Sequence, residues 1–378
     1  MEILIVGAGI GGMALAALLK QRGIGCTVID RSPDLGQAGY MITLYPMGSR
    51  VLHGLGVFEE FRHRSSEFRN YEVHNGNGDL LHAFDVTPIS KEFGHTGQIL
   101  RRDLVDILRR AAGDVPVKTG LGLEHLEQTK NKVAVRFTDG TKAMFDGVIG
   151  ADGLHSKTRR ITFGEEPDHD TGWGLWVWWT PVETPKDTVR EYWGKGRFVG
   201  VYPTPGLTGA IAAGPTDLIG PESVGQNGHR LRELFSSLGG GAKEIVGSLP
   251  DNLSDLSFWN LSDYRSRSWV SRRVALLGDS ACAFLPNAGV GASMALESAA
   301  VMADELSRCD ASLVPRAFDF YERRRRKRVE AAQDESRKLA VWMATESATL
   351  VWTRDQFMKM ATVDSLIKSV ENSLSVPI

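Results

Sequence analysis

The spacing of hydrophobic positions over residues 2–29 changes from that of a strand to that of a helix and back to that of a strand. Residues 2–6 form a short apolar run that predicts a buried strand, and residues 13–20 have the spacing of a helix. A second apolar run, residues 26–29, ends on Asp30. The order strand, helix, strand predicts a βαβ unit.

Glycines occupy the turn between the first strand and the helix, in the sequence GAGIGG. Gly7 permits a tight turn, Gly9 lets the backbone approach a pyrophosphate, and Gly12 lets the helix pack on the strand. The helix N-terminus offers N–H groups and a positive dipole end to phosphates, and Asp30 stands where such units bind ribose hydroxyls. The unit therefore predicts a dinucleotide site made of Gly7, Gly9, Gly11, Gly12, Asp30 and Arg31.

Two other interpretations of this apolar start are disfavoured. A secretory signal needs a basic start, but Glu2 comes first and no Lys or Arg precedes Lys20. A membrane helix would not contain so many glycines. The three cysteines have no CxxC spacing, so a cytoplasmic, reducing location is the expectation.

The later pattern alternates between α/β pieces and an antiparallel sheet. Turn signals at residues 75–78 and 139–140 predict hairpins, and buried strands are predicted at 145–151 and 274–277. Helices are predicted at 102–112, at 231–238 and through most of the C-terminal part, including residues 342–366. The pattern indicates an α/β fold in which a Rossmann-like dinucleotide domain is interleaved with an antiparallel-sheet domain. The predicted boundaries are 1–70, 98–165 and 268–330 for the first domain, 71–97 and 166–267 for the second, and 331–378 for a C-terminal helical segment.

Charge changes this picture little. The 44 Lys and Arg residues nearly balance the 46 Asp and Glu residues, which favours neither a nucleic-acid nor a membrane partner. The basic run RRRRKR, residues 323–328, lies in an amphipathic helix, and we expect it to form a solvated face rather than a nucleic-acid site. The histidines lack metal-site spacing, so no metal is expected. A monomer and a homodimer both remain open.

Three motifs together resemble one family. They are GAGIGG with Asp30, the segment DGLHSKTR at residues 152–159, and the segment GDSACAFLPNAGVG at residues 278–291. The last two are similar to the patterns DGxxSxxR and GDAAHxxxPxxGxG of the single-component FAD-dependent aromatic hydroxylases, which have the para-hydroxybenzoate hydroxylase fold. The segment ILRRDLVDIL and the C-terminal tail look most like the tetracycline-inactivating branch. Cys282 and Ser293 stand where the family usually has His and often has Asn, and no neighbour suggests that Cys282 is a nucleophile.

The resemblance implies FAD as the cofactor, with NADPH or NADH as electron donor. It implies that Arg101, rather than Arg102, reaches the FAD phosphates and that Asp279 holds the ribityl chain. Asp152, Gly153 and Arg159 would serve FAD and the nicotinamide donor. Gly278, beside Asp279, is a further implied cofactor contact. The implied contacts toward the flavin ring are Pro286, Gly289, Gly291 and Ala292.

The implied reaction is a monooxygenation. NAD(P)H reduces the flavin, O2 adds to it, and the flavin hydroperoxide delivers a hydroxyl group to an electron-rich aromatic or enolic carbon. Because the cofactor carries this chemistry, no catalytic base is named. The alternatives are a flavin-dependent halogenase, since residues 176–181 resemble WxWxIP with Thr180 in place of Ile, an epoxidase, or a non-catalytic flavin-binding regulator.

Aromatic residues in the antiparallel sheet suggest the substrate wall, although a packed aromatic core is an equal alternative. The predicted wall consists of Trp176, Trp178, Trp193, Phe198 and Tyr202. No obvious Arg or Lys cluster accompanies them, which favours a polycyclic or alkyl-substituted substrate over a small benzoate. We also expect a helix over residues 342–366 to gate this site.

Overall fold

The computed structural model describes residues 1–35 and 40–360. Its N-terminal strand lies in a six-stranded sheet that is parallel except at one edge, where Val270–Ser271 pairs antiparallel with Val274–Leu276. The strand Glu2–Val6 pairs in parallel with Gly25–Asp30 on one side and Gly147–Gly150 on the other. The helix Ile10–Gln21 connects the first two of these strands, as predicted. In spatial order the six strands of this sheet are Val270–Ser271, Val274–Leu276, Gly147–Gly150, Glu2–Val6, Gly25–Asp30 and Val117–Thr119.

A second, larger sheet is antiparallel except at one pairing. The strand Thr188–Trp193 runs parallel to Asn70–Asn75, which brings two distant parts of the chain into one sheet. Helices Thr216–Ile219, Pro221–Val224, Gly228–Leu234 and Gly241–Gly247 supply apolar side chains that pack against one face of the sheet. In spatial order the eight strands are Cys282–Ala283, Ser257–Arg265, His169–Thr180, Leu207–Pro215, Phe198–Thr204, Thr188–Trp193, Asn70–Asn75 and Leu80–Asp85.

Two three-stranded sheets and further helices complete the described part of the chain. In spatial order, the first small sheet consists of Met41–Leu44, Gly97–Leu100 and Ser66–Glu67. The second consists of Lys142–Phe145, Val133–Phe137 and Leu123–Gln128. The other helices are Pro46–Gly54, Phe58–Arg64, Thr87–Phe93, Arg101–Ala112, Lys157–Phe163, Gly291–Ser307, Val314–Met343 and Ala348–Met360, with 3-10 turns at Gly278–Ser280 and Pro286–Ala288. Within residues 1–35 and 40–360, no helix is long and apolar enough to cross a membrane.

Some predicted elements differ in their bounds. The apolar run 145–151 is divided, because Asp146 turns to accept a hydrogen bond from the Glu2 N–H at 2.7 Å. The helix predicted at 231–238 begins earlier, at Gly228, because the Asn227 side chain caps it. The continuous helix expected over 342–366 is wrong for its described part: one helix ends at Met343 and the next begins at Ala348. Residues 361–366 lie outside the described residues.

The basic run 323–328 is not a uniformly solvated face. Arg325 is fully buried and donates from Nη1 to Glu297 Oε2 at 3.0 Å, and Arg328 donates from Nε to the same oxygen. The helix Val314–Met343 packs this side against the helix Gly291–Ser307, so the run divides between the core and the solvent. The expectation of a solvated run is therefore wrong at Arg325.

Candidate flavin and substrate site

One large cavity connects the three sequence motifs to the antiparallel sheet. Its volume of about 1420 Å³ exceeds the roughly 300–1,000 Å³ of an ordinary ligand pocket, so it has room for a long cofactor and a second molecule. Most of the predicted cofactor residues lie on its surface. These are Gly7, Gly9, Gly11, Asp30, Arg31, Arg101, Asp152, Gly153, Gly278, Asp279, Pro286, Gly289, Gly291 and Ala292.

The glycine turn forms one end of the cavity. Gly7 has a φ of 109°, a conformation that favours glycine, and the helix begins at Ile10 without a side-chain cap at Gly9. The N–H groups of the first helical turn are therefore available to an anion. Gly12 does not line the cavity; a Cβ there would lie 1.9 Å from the Gly7 carbonyl oxygen, so its role is to let helix and strand approach.

Asp30 closes the same end of the cavity at the tip of the second strand. Its Oδ2 accepts a hydrogen bond from the Ala8 N–H at 2.8 Å, and its Oδ1 accepts one from the Ser32 N–H at 2.8 Å. A carboxylate has about four acceptor positions, so each oxygen keeps capacity for a hydroxyl donor. This arrangement suits a pair of ribose hydroxyls.

Arg101 and Asp279 face the middle of the cavity. Arg101 is the first residue of the helix Arg101–Ala112 and lies over the Tyr40 ring, with its guanidinium carbon 5.8 Å from the ring centre. Arg102, by contrast, is exposed and is not part of the cavity lining. Asp279 is exposed at the surface of the cavity, so its carboxylate is accessible to a cofactor. The protein around the cavity raises the pKa of Asp279 to about 6, against the opposing effect of the Arg101 charge.

The second motif is held to the third by hydrogen bonds. Asp152 Oδ1 accepts from the hydroxyls of Ser156 at 2.5 Å and Ser280 at 3.2 Å. Its Oδ2 accepts from the Thr158 N–H at 2.9 Å, which fixes the start of the helix Lys157–Phe163. Asp152 therefore orients the backbone of this edge of the cavity.

Arg159 does not reach the cavity, and the expectation that it meets phosphates is wrong in this structure. It is buried, donates to the carbonyl oxygens of Ser280 at 3.1 Å and Leu154 at 2.7 Å, and lies 3.6 Å from the centre of the Tyr264 ring. Its fixed charge holds two loops together. The cations on the cavity surface here are Lys157 and Arg160, which the motif pattern does not specify.

The third motif approaches the cavity through an irregular loop. Gly289 has a φ of 64° and lies against the Tyr45 ring, so that a Cβ at Gly289 would be 3.5 Å from Tyr45 Cε2. Ser293, which departs from the family pattern, accepts a hydrogen bond from the Tyr45 N–H at 3.0 Å. Cys282, the other departure, is buried, and burial raises the pKa of its thiol to about 12, which opposes a nucleophilic role.

The sheet presents one face to the cavity, and only part of the predicted aromatic wall lies on it. Trp193 and Tyr202 line the cavity. Trp176 and Trp178 lie on the opposite face: their indole N–H groups donate to the Ile219 carbonyl at 2.8 Å and to Ser248 Oγ at 3.0 Å, under the covering helices. The prediction that these two residues bind substrate is therefore wrong, because strand alternation turns Leu175 and Val177 toward the cavity instead.

Phe198 also fails to reach the cavity surface. It pairs across the sheet with Trp193 and is buried in an apolar cluster with Met343 and Met358 of the C-terminal helices. Its predicted substrate contact is replaced by a packing role. The same C-terminal segment does reach the cavity, through Glu335, Leu339, Phe357 and Met358.

Sequence reasoning missed two polar residues of the substrate end. Glu191, 4% exposed, accepts hydrogen bonds at Oε2 from the Tyr71 hydroxyl (2.5 Å) and the Trp193 indole N–H (2.9 Å), and at Oε1 from the Tyr202 hydroxyl (2.8 Å). Desolvation by burial raises the pKa of Glu191, although these hydrogen bonds oppose the shift. Strand alternation could have identified Glu191 from the sequence, because it places Glu191 on the same face of the strand as Trp193.

Gln98 is the second missed residue. It lines the cavity and is 1% exposed, and within the described part of the chain neither its amide nitrogen nor its amide oxygen has a hydrogen-bond partner. No local sequence signal marks it, because its burial comes from strands that are distant in sequence.

Comparison with known proteins agrees with this geometry. Residues 1–336 match the family described as FAD binding domain. The 3-amino-4-hydroxybenzoate 2-monooxygenase of Streptomyces cremeus is 33% identical over 78% of this chain and 76% of its own length. Among solved structures, Klebsiella pneumoniae HpxO complexed with FAD and uric acid has a TM-score of 0.88 at 24% identity, over 99% of this chain and 96% of HpxO. Tetracycline destructase Tet(51) has a TM-score of 0.74 at 25% identity, over 100% of this chain and 99% of that protein.

Three motifs converge on one cavity, and the family match extends over the segments that carry all three. The chain therefore belongs to the FAD binding domain family, and it is an FAD-dependent monooxygenase of the aromatic-hydroxylase type.

Proposed function

We propose that this monooxygenase hydroxylates an electron-rich aromatic or enolic carbon of a polycyclic or alkyl-substituted small molecule, with NADPH or NADH as the electron donor. One oxygen atom of O2 enters the carbon–hydrogen bond of the substrate, and the other leaves as water. The nicotinamide supplies two electrons as a hydride, and a solvent proton completes the balance. The observation that carries the proposal is the continuity of the cavity from the glycine turn to the apolar sheet wall.

The residues present fit FAD. The uncapped helix start at Gly9 suits the pyrophosphate, Asp30 suits the ribose, and Asp279 suits the ribityl hydroxyls. The loop Pro286–Gly291 would lie along the flavin ring, where its N–H groups and the start of the helix Gly291–Ser307 favour negative charge. When bound, FAD would supply the electron transfer and oxygen activation, which amino-acid side chains do not provide.

The protein's own task is to position the substrate and to exclude water. The substrate end is lined by apolar side chains from neighbouring strands, namely Leu175, Val177, Val189 and Ile211. Such a wall stabilises a ring system through its apolar area and gives a small benzoate little to bind through its carboxylate. Tyr45 lines the same cavity and lies against the Gly289 loop, so it forms part of the boundary at the cofactor end.

The C-terminal helices form another part of the cavity boundary. Phe357 and Met358 belong to the helix Ala348–Met360 and line the cavity, and Leu339 lines it from the preceding helix. We include in the proposal that this segment controls substrate entry. Lys157 and Arg160 are the cations we assign to the approach of the nicotinamide phosphates.

A ligand panel with the purified holoenzyme tests the proposal. The protein should be yellow, and FAD should be released on denaturation. Polycyclic phenols should stimulate NAD(P)H oxidation and gain one oxygen that carries the label from 18O2. A halogenated product in the presence of chloride or bromide, a preference for small benzoates, or no oxygenated product from any aromatic ligand would overturn it.

A further inference from the structure

We infer that Glu191 and Gln98 select the substrate: the cavity takes an uncharged bicyclic lactam or hydroxy-N-heterocycle of the quinolone type and rejects rings that carry a carboxylate. Glu191 would accept a hydrogen bond from the ring N–H or O–H group, and Gln98 would pair with a neighbouring polar atom of the ligand. This inference deepens the proposed function and rests on it.

The carboxyl oxygens of Glu191 accept hydrogen bonds from three neighbouring side chains. The Trp193 indole N–H can only donate, so Oε2 must accept, and Oε2 is also the acceptor of the Tyr71 hydroxyl. Oε1 accepts only from Tyr202 in the described part of the chain. Because an ionised carboxylate has about four acceptor positions, one remains at Oε1, and Glu191 is part of the cavity surface.

Within residues 1–35 and 40–360, no cation offsets this buried carboxyl group. The groups that act on its pKa are the tyrosines Tyr71 and Tyr202 and the indole of Trp193. Arg190, its neighbour in the chain, pairs with Glu72 at 2.6 Å instead. A ligand carboxylate placed beside Glu191 would lose its hydration without gaining a cation, which is unfavourable, whereas a neutral donor would complete the hydrogen bonding of Glu191.

Gln98 provides an independent observation that points to a ligand. A buried amide with both a free donor and a free acceptor costs free energy unless a partner satisfies it. The strand that carries Gln98 packs against Phe198–Thr204, the strand of Tyr202, so the amide and the Glu191 cluster belong to one end of the cavity. A ligand edge with both a donor and an acceptor, as in a lactam, matches the unpaired amide.

Three ligands of one ring size test the inference: 4-quinolone with its N–H group, N-methyl-4-quinolone, and quinoline-4-carboxylate. Binding to the oxidised holoenzyme is read from the perturbation of the flavin absorbance spectrum, which does not require turnover. The N–H ligand should bind about tenfold or more tighter than the N-methyl ligand, the range expected for one hydrogen bond to a charged group. The carboxylate should bind more weakly than either.

The variant Glu191→Gln removes the charge but keeps the shape. It should reduce the preference for N–H over N-methyl and improve the binding of the carboxylate, while Trp176→Phe, on the opposite face of the sheet, should leave both ratios unchanged. Equal or tighter binding of the carboxylate to the wild-type protein, failure of the N–H ligand to bind, or unchanged ratios in a FAD-loaded Glu191→Gln variant would overturn the inference. If Glu191→Gln does not fold, the wild-type series decides alone.

The two proposals fail in distinguishable ways. Selective binding of the quinolone without labelled product would contradict hydroxylation but support the recognition site. Labelled product from a ring carboxylate, with no binding of the quinolone, would support hydroxylation and contradict the recognition site.

Discussion

Arg354 donates from Nη2 to the backbone carbonyl oxygen of Trp193 at 2.6 Å, and it thereby joins the last described helix to the strand that carries Glu191. The guanidinium is buried, and its Nη1 also donates to the Gly194 carbonyl oxygen at 3.3 Å. The position of the C-terminal helix at the cavity therefore depends on a charged side chain in contact with the substrate wall.

Replacing Arg354 with Ala should loosen this helix. The loss of hydrogen bonds to a charged group is expected to cost about 1.5–3 kcal/mol of stability for each bond that is not replaced. We expect FAD to remain bound, while more of the consumed NAD(P)H yields hydrogen peroxide instead of product. The control is Lys359→Ala, an exposed change on the same helix. Coupling that is equal in both variants would assign the helix a purely structural role.

Asp279→Asn should weaken FAD binding by about tenfold or more, because a charged acceptor for cofactor hydroxyls is replaced by a neutral one. FAD fluorescence titration of the stripped protein measures this. Unchanged affinity would place the ribityl contact elsewhere in the cavity.

Gly12→Ala should prevent normal packing of the first helix. The added Cβ would lie 1.9 Å from the Gly7 carbonyl oxygen, and overpacking of this kind costs about 1–3 kcal/mol or more. We expect low soluble yield or loss of FAD. Gly54→Ala is the matched control, since its Cβ meets nothing within 4 Å in a helix, and it should stabilise the protein by up to about 1 kcal/mol.

Trp193→Phe and Trp176→Phe should separate binding from stability. Trp193 lines the cavity and donates to Glu191, so its replacement should raise the KM for the substrate. Trp176→Phe leaves the buried Ile219 carbonyl without its donor, which should cost about 1–3 kcal/mol of stability but leave KM unchanged. Steady-state kinetics and urea unfolding of both variants check this, and a KM change in Trp176→Phe alone would reverse the assignment of the two faces.

Arg325→Ala should destabilise the protein far more than Arg323→Ala, although both belong to one basic run. Removing one partner of a buried ion pair costs about 3–5 kcal/mol, and Arg325 is fully buried against Glu297. Arg323 is exposed, so its replacement should be close to neutral. Denaturant unfolding measures both, and equal effects would show that the run acts as a solvated face after all.

The sequence alone determined the cofactor end of this protein because its requirements are local. A positive φ at Gly7 and the lack of space for a Cβ at Gly12 are conditions on single residues, and they are visible as glycines in a fixed spacing. Asp30 and Asp279 each follow an apolar strand, and the ends of neighbouring parallel strands meet at one edge of a sheet. The family motifs, and with them FAD, could therefore be predicted from the order of residues in the chain.

Only the tertiary structure decided the substrate end. Strand alternation shows that Trp176 and Trp178 share a face, but it does not say which face the helices cover. A motif shows that Arg159 is required, but its burial under Ser280 and Tyr264 depends on a segment more than a hundred residues away. Glu191 and Gln98 became polar groups of one cavity because strands from separate parts of the chain pair beside each other, and pairing between distant strands leaves no local pattern to read.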